Sequence, residues 1–321
     1  MKRTTTYSSV RILCSVLAVG FLLFLGTETK AQQQLHLSQY TLHQPFLNPA
    51  SIATSQFMNG ALVYRQQWVG FSGAPRVAGV NFNVPFKKKK NFLGLTVFND
   101  QIGVNDRTDV SLSYAYRIAL SQKSSLAFGL SASVALLKSN LSEVETTDEN
   151  DPVFTSNTKT FAAPDFKFGV NFFMERFYVG FALPRILDNE VIYNQGYKGD
   201  IGFDYKTLHY HFHTGYKIKL SEKFDMPIAA LMKFVVGSPA QFDVSAMVDY
   251  NNFFAIGAAY RSEKIVVGMA NVRITKFFRL GYAYDYNFTQ LRQVSSGSHE
   301  IMLVFNLVKD MTPVKIDAPR F

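Results

Sequence analysis

From Asn59 onward the chain alternates apolar and polar residues with a period of two, segment after segment, almost to its end. That period is the pleat of a β-strand, in which successive side chains point to opposite faces. Val110, Leu112, Tyr114, Tyr116 and Ile118 point one way, and Ser111, Ser113, Ala115 and Arg117 the other. Phe166, Phe168, Val170 and Phe172 likewise oppose Asp165, Lys167, Gly169 and Asn171. Leu208, Tyr210, Phe212, Tyr216, Ile218 and Leu220 oppose His209, His211, His213, Gly215, Lys217 and Lys219. Phe278, Leu280, Tyr282, Tyr284, Tyr286 and Phe288 oppose Arg279, Gly281, Ala283, Asp285 and Asn287.

Read this way, the sequence predicts fourteen strands, starting near Gly60, Val77, Phe92, Val110, Ser125, Asp165, Phe177, Leu208, Pro227, Gln241, Phe253, Ile265, Phe278 and His299. Strands of about ten residues, even in number, with one apolar face each, fit a transmembrane β-barrel. Closure leaves no unpaired strand edge in lipid. A soluble two-sheet sandwich also alternates, but fourteen such strands fit a barrel better. Mean hydropathy is close to zero, as expected where only every second residue meets lipid. Aromatic residues reach 15%, which suits Phe on the lipid face and Tyr or Trp at the membrane boundaries.

The N-terminus suggests export. Lys2, Arg3 and Arg11 precede an apolar run from Ile12 to Leu25, and Thr29-Lys30-Ala31 offers a cleavage site, the pattern of a signal peptide. The only cysteine, Cys14, lies in this leader, so the mature chain has no disulfide or thiol chemistry. The organisation is therefore a signal peptide over 1–31, a polar N-terminal segment over 32–58 that is periplasmic or lumenal, a barrel over 59–308 and a tail over 309–321. If the first strand runs outward, the turns after even-numbered strands are periplasmic and short, while 139–163, 185–207 and 289–298 are long outer loops. The longest carries Glu143, Glu145, Asp148, Glu149 and Asp151, and the run Lys87–Lys90 sits in a periplasmic turn, either solvated or facing an acidic partner or lipid phosphates.

The chain carries no GxSxG, HExxH, Walker or CxxC motif, and no catalytic, cofactor or metal residue is assigned: the expectation is a non-enzyme. The histidines at 209, 211 and 213 share one strand face about 7 Å apart, too far apart for one strand to close a mononuclear site. They read as an inward polar row. Arg117, Asp165, Lys167, Lys217, Lys219, Lys233, Asp243, Asp249, Arg261, Arg279 and Asp285 are expected in the lumen, since Lys or Arg facing mid-membrane lipid costs about 2–4 kcal/mol. Gly129, Gly169, Gly215 and Gly281 occur singly in strands, where they relieve crowding or bends. An exported basic chain is no nucleic-acid binder by charge alone.

Ordered blocks along the chain resemble the PorP/SprF family. They are Gln39-Tyr40 with Phe46-Leu47-Asn48-Pro49-Ala50, then Tyr64-Arg65-Gln66-Gln67-Trp68-Val69-Gly70 with Gly73-Ala74-Pro75, and Asn99-Asp100-Gln101-Ile102-Gly103-Val104. Leu112–Arg117, Glu175–Gly180, Gly281–Tyr286 and Ser296–Leu303 follow in order. The resemblance implies a non-enzymatic outer-membrane component of the type IX secretion and gliding machinery, serving export or surface attachment of particular adhesin-like cargo. It implies as partners outer-membrane lipids, periplasmic lipoproteins of the machinery and C-terminal domains of secreted cargo. The interaction or structural candidates are Asn48, Pro49, Arg65, Gln67, Trp68, Pro75, Asp100 and Arg117. Arg65, Trp68 and Pro75 are expected around the first outer loop, either locking strands one and two or touching cargo. The competing reading is a passive channel or solute transporter.

Overall fold

A computed structural model describes residues 36–86, 90–143, 157–187, 191–192, 196–197 and 202–307. The expected signal peptide over 1–31, Lys87–Lys89, the acidic run from Glu145 to Asp151 and the tail over 309–321 lie outside the described residues.

The fold is a closed antiparallel barrel of fourteen strands. They are β1 (Met58–Gln66), β2 (Arg76–Phe86), β3 (Asn91–Ile102), β4 (Asn105–Ala119), β5 (Ser124–Ser139), β6 (Phe161–Met174) and β7 (Phe177–Leu183). The second half comprises β8 (His209–Lys219), β9 (Phe224–Val235), β10 (Gln241–Tyr250), β11 (Phe254–Arg261), β12 (Ile265–Arg273), β13 (Phe278–Asn287) and β14 (Ser298–Leu307). Each strand pairs with its sequence neighbour, and β1 closes the ring against β14 in a register running from Met58–Leu307 to Gln66–His299. Among the described residues no helix is long and apolar enough to cross a membrane.

The expected strands all form. β4 begins at Asn105 rather than near Val110, and β6 at Phe161 rather than near Asp165. In both cases the hydrogen-bond ladder continues past the apolar stripe, where no lipid demands one. A two-stranded hairpin, Val191–Ile192 with Gly196–Tyr197, lies in the β7–β8 connection.

Alternation decides which side chains face out. Leu95, Leu112, Leu130, Val244 and Ile256 are exposed on the outer wall, an apolar band that only lipid would cover. Exposed Tyr64, Tyr260 and Tyr286 sit towards one rim and Tyr116, Tyr216 and Tyr250 towards the other, where amphipathic rings meet both headgroup and chain. Asp165, Asp243, Asp249, Arg261 and Asp285 are buried on the inner wall. Two residues depart from expectation. Leu208 is buried, because it precedes β8 and is free of its alternation. Lys219 does not face the lumen: it ends β8 and pairs with Glu222 at 2.5 Å in the adjoining turn.

The two ends differ. Connections 87–90, 120–123, 175–176, 220–223, 251–253 and 274–277 are short, while the longer ones, 140–160, 184–208 and 288–297, leave the strands at the opposite end. These are called the short-turn and long-loop ends below.

Candidate functional site: the occupied lumen

The segment before β1 lies inside the barrel. Residues 36–54 carry no Asp, Glu, Lys or Arg, so their burial strands no fixed charge. They descend from the long-loop half, where His36 meets Asp243 on β10, to the short-turn end, where the Ala53 carbonyl accepts from Arg117 Nη1 at 3.2 Å. Two short 3₁₀ turns, Gln44–Phe46 and Pro49–Thr54, shape the descent. A proline stands at the second position of the first turn, Pro45, and at the first of the other, Pro49, where its fixed φ helps and its missing N–H is not needed.

Asn48 is the central anchor. It is fully buried and its Oδ1 caps the second turn by accepting from Ala50 N at 2.8 Å, a standard use of Asn at a turn start. Its Nδ2 donates to the Val170 carbonyl at 3.0 Å, the Phe181 carbonyl at 3.2 Å and His213 Nε2 at 2.9 Å. The wall has been cleared to admit it: a Cβ on Gly169 would overlap Asn48 Oδ1, and one on Gly129 would overlap Ala50 N. Pro49 is buried with it. Below, Ala50, Ile52 and Ala53 pack on Phe92, Ala115, Ala127, Phe173 and Tyr178. Above, Leu37, Leu42 and Phe46 pack on Val63, Val77, Phe98, Met302 and Val304. Arg117 stacks over the Phe92 ring, 5.1 Å from its centroid, at the lower edge of this cluster.

A buried ion network holds the upper part. Arg65 on β1, 1% exposed, donates to Asp285 Oδ2 on β13 at 2.6 Å and to Glu300 Oε2 on β14 at 3.2 Å. Arg261 on β11 reaches Asp285 at 3.1 Å and Asp243 at 3.4 Å. Ser38 sits between: its N–H donates to Glu300 Oε2 at 2.7 Å, its hydroxyl donates to Asp285 Oδ1 at 2.7 Å, and it accepts from Arg65 Nη1 at 2.9 Å. Gln39 N–H takes the other Glu300 oxygen at 2.9 Å. A neutral segment is thus docked onto wall charges that pair among themselves, so each carboxylate keeps hydrogen-bonded partners. Burial, reinforced by Lys233 and Arg261, holds His36 well below the usual imidazole range against the opposing pull of Asp243. Burial pulls His43 down to about 4, partly offset by its hydrogen bond to Asn81 Oδ1 at 2.7 Å.

The candidates therefore separate. Asn48, Pro49, Arg65 and Arg117 act on the lumenal segment. Arg65 joins β1 to β13, β14 and that segment, not β1 to β2. Gln67, Trp68 and Pro75 stay at the long-loop rim. Gln67 N–H donates to the Pro75 carbonyl at 2.9 Å, closing the β1–β2 loop. Trp68 adopts φ 45°, an uncommon conformation for a bulky residue. It is held there by its N–H on Ser298 Oγ at 3.2 Å and by the flanking bonds Val69 N to Gly297 O and Ser296 N to Val69 O, both 2.8 Å.

Asp100 lines a lumenal cavity of about 380 Å³ beside the segment, together with Phe46, Phe98, Arg107, Asp109 and Lys167. His209, His211 and His213 face inward as a row. Among the described residues no three His, Asp or Glu side chains are grouped to hold a metal ion.

Sequence reasoning missed Glu300 and the role of Ser38. Glu300 does follow a period-two signal, with Ser298, Met302 and Val304 inward against Ile301 and Leu303. Nothing local marks it as the partner of Arg65, 235 residues away.

A family model described as type IX secretion system membrane protein PorP/SprF matches residues 29–305. A comparison with curated protein sequences finds no match. Solved structures similar to this chain include the CymD monoaromatic hydrocarbon channel, 12% identical over 84% of this chain and 93% of that one, with a TM-score of 0.49. Acinetobacter baumannii Omp33 is 8% identical over 79% and 98%, with a TM-score of 0.42. A Pseudomonas aeruginosa FadL homologue is 10% identical over 81% and 93%, also with a TM-score of 0.42.

Proposed function

The chain belongs to the PorP/SprF family of type IX secretion system membrane proteins, and from that premise we propose that it is a non-enzymatic outer-membrane platform needed for secretion or surface attachment of specific adhesin-like cargo. In this reading the long-loop end faces outward, as loop asymmetry in such barrels leads one to expect. There it meets C-terminal domains of cargo, while the short-turn end meets periplasmic lipoproteins of the machinery. Outer-membrane lipids surround the wall, and gliding motility depends on the cargo so displayed.

The observation that carries the reading beyond family membership is the occupied lumen. A passive solute channel uses its interior for transit, whereas here residues 36–54 occupy much of the interior with buried, hydrogen-bonded contacts. A platform needs a stiff wall and presented loops, and an internal brace linking β1, β6, β7, β13 and β14 supplies stiffness.

Deleting the gene should remove one or a few surface proteins while nutrient uptake stays normal. Affinity purification from native outer membranes should recover secretion components or a surface protein. Recovery of neither, or a large steady conductance of the intact chain in planar bilayers, would overturn the proposal.

A further inference from the structure

We infer that the lumenal cavity beside the segment is a receptor for a basic side chain, arginine above all, presented by a protein docked on the long-loop end. The identity of that protein as exported cargo rests on the function proposed above; the chemistry of the cavity does not.

The cavity, about 380 Å³, lies between residues 45–49 of the lumenal segment and the walls of β3, β4, β6 and β8. That volume is at the lower end for ligand sites. Ile102 and Asn105, which line it, sit at the tight β3–β4 turn on the long-loop rim and are exposed. Its mouth therefore faces the long loops. One side is apolar: Phe46 and Phe98 meet with ring centroids 4.9 Å apart, and Pro45 and Pro49 flank them.

The acids along the other side are not equivalent. Asp109 accepts from Lys167 Nζ at 3.1 Å, Arg107 at 3.4 Å and Ser111 Oγ at 2.8 Å. Asp165 Oδ1 accepts the backbone N–H groups of Phe166, Ile186 and Leu187 at 2.7 to 3.0 Å. Asp100 differs. Its Oδ1 is buried and has no hydrogen-bond partner among the described residues, although Arg107 stands directly across the ladder. Arg107 turns to Asp109 instead. A carboxylate with no hydrogen-bond donor in a cavity wall is an uncommon and unfavourable state; Oδ1 is shut off, but Asp100 is only half-buried and its other oxygen is open to a donor from the cavity.

The surroundings narrow the choice. Three carboxylates and three cations line the cavity, and the cations are already engaged, Arg107 and Lys167 by Asp109 and Arg185 by the Leu187 carbonyl at 3.2 Å, so an anion finds no free partner. A wholly apolar ligand would leave Asp100 as it is. A guanidinium supplies a planar fork of N–H donors, its charge strengthens the bond to a carboxylate, and its methylene stem suits the Phe46–Phe98 wall. The lumenal segment forms that wall, so the segment is a part of the receptor as well as a brace.

The test uses the full mature chain refolded in detergent and titrated calorimetrically with Nα-acetyl-arginine amide, with Nα-acetyl-norleucine amide as the uncharged control. The arginine derivative should bind, and Asp100→Asn should weaken it at least tenfold. Phe46→Ala should weaken it less, through the stem. The norleucine derivative should bind poorly to all three proteins. Heat-modifiable gel mobility verifies folding of each, and Asp100→Asn removes an unpaired charge and so is expected to fold. Absence of binding to folded wild type, equal binding to Asp100→Asn, or equal binding of the norleucine derivative overturns the inference. In cells, Asp100→Asn should lose the surface protein that the gene deletion loses. If the deletion loses no surface protein, the proposed function fails while the titration still stands. If the deletion loses it and Asp100→Asn retains it, cargo is not the source of the side chain.

Discussion

Replacing Asn48 with alanine should loosen the lumenal segment from the barrel without touching the strands. The side chain caps the second 3₁₀ turn and donates to two wall carbonyls and one imidazole, all within 3.2 Å. Loss of the cap costs about 1 kcal/mol, and loss of the wall contacts costs about 1 kcal/mol for each of two buried acceptors. The total of about 3 kcal/mol shifts docking of the segment about 100-fold towards release. Cys14 is the one cysteine of the chain, so in a Cys14→Ser background one introduced thiol reports alone. Ser51→Cys is nearly isosteric at a site only 1% exposed. When opening and closing are fast relative to labelling, the maleimide rate follows the open fraction. The rate at Cys in Ser51→Cys should therefore rise about 100-fold on adding Asn48→Ala, with heat-modifiable gel mobility confirming that the barrel persists. A rate changed by less than about threefold, under 1 kcal/mol, would refute the assignment of Asn48 as the anchor.

Other perturbations test separate contacts. Arg65→Met leaves Glu300 without its guanidinium and should destabilise the refolded barrel by about 3–5 kcal/mol, read from the urea midpoint. Gly169→Val should displace the segment, because even a Cβ there overlaps Asn48 Oδ1, and should raise single-channel conductance in planar bilayers above that of wild type. For His43, whose pKa falls from 6.5 to about 4 on docking, the docked state binds fewer protons. Docking is then at full strength above pH 6.5 and weakens as pH falls towards 4, by up to tenfold per unit. Below about 4 it changes no further from this group. His43→Asn should flatten that slope in the thiol-labelling assay, leaving the part due to His36. Leu112→Arg, on the outer wall where Leu112 is 60% exposed, should cost about 2–4 kcal/mol in lipid bilayers, measured by urea unfolding in liposomes.

Much of this architecture was legible in the sequence because strand formation in a barrel is written locally. Alternation at period two requires only neighbouring residues, and lipid on one side makes the pattern strict. It therefore gave the strand number, the faces of Leu112 and Asp285, and the unequal connections at the two ends. The resemblance pointed to Asn48, Pro49, Arg65 and Asp100 as residues of interest, but not to what they touch. What only the tertiary structure decided is the content of the lumen. Residues 36–54 have no period and no fixed charge, so no local rule distinguishes a strand-free leader from an internal brace. Their place depends on surfaces assembled from far apart: Glu300 and Asp285 meet Arg65 only when β14 closes on β1, and the gap that admits Asn48 exists only where Gly129 and Gly169 lie side by side in the β5–β6 register. Isolated glycines and an inward-facing glutamate leave weak marks on a sequence; closure of the ring gives them their partners.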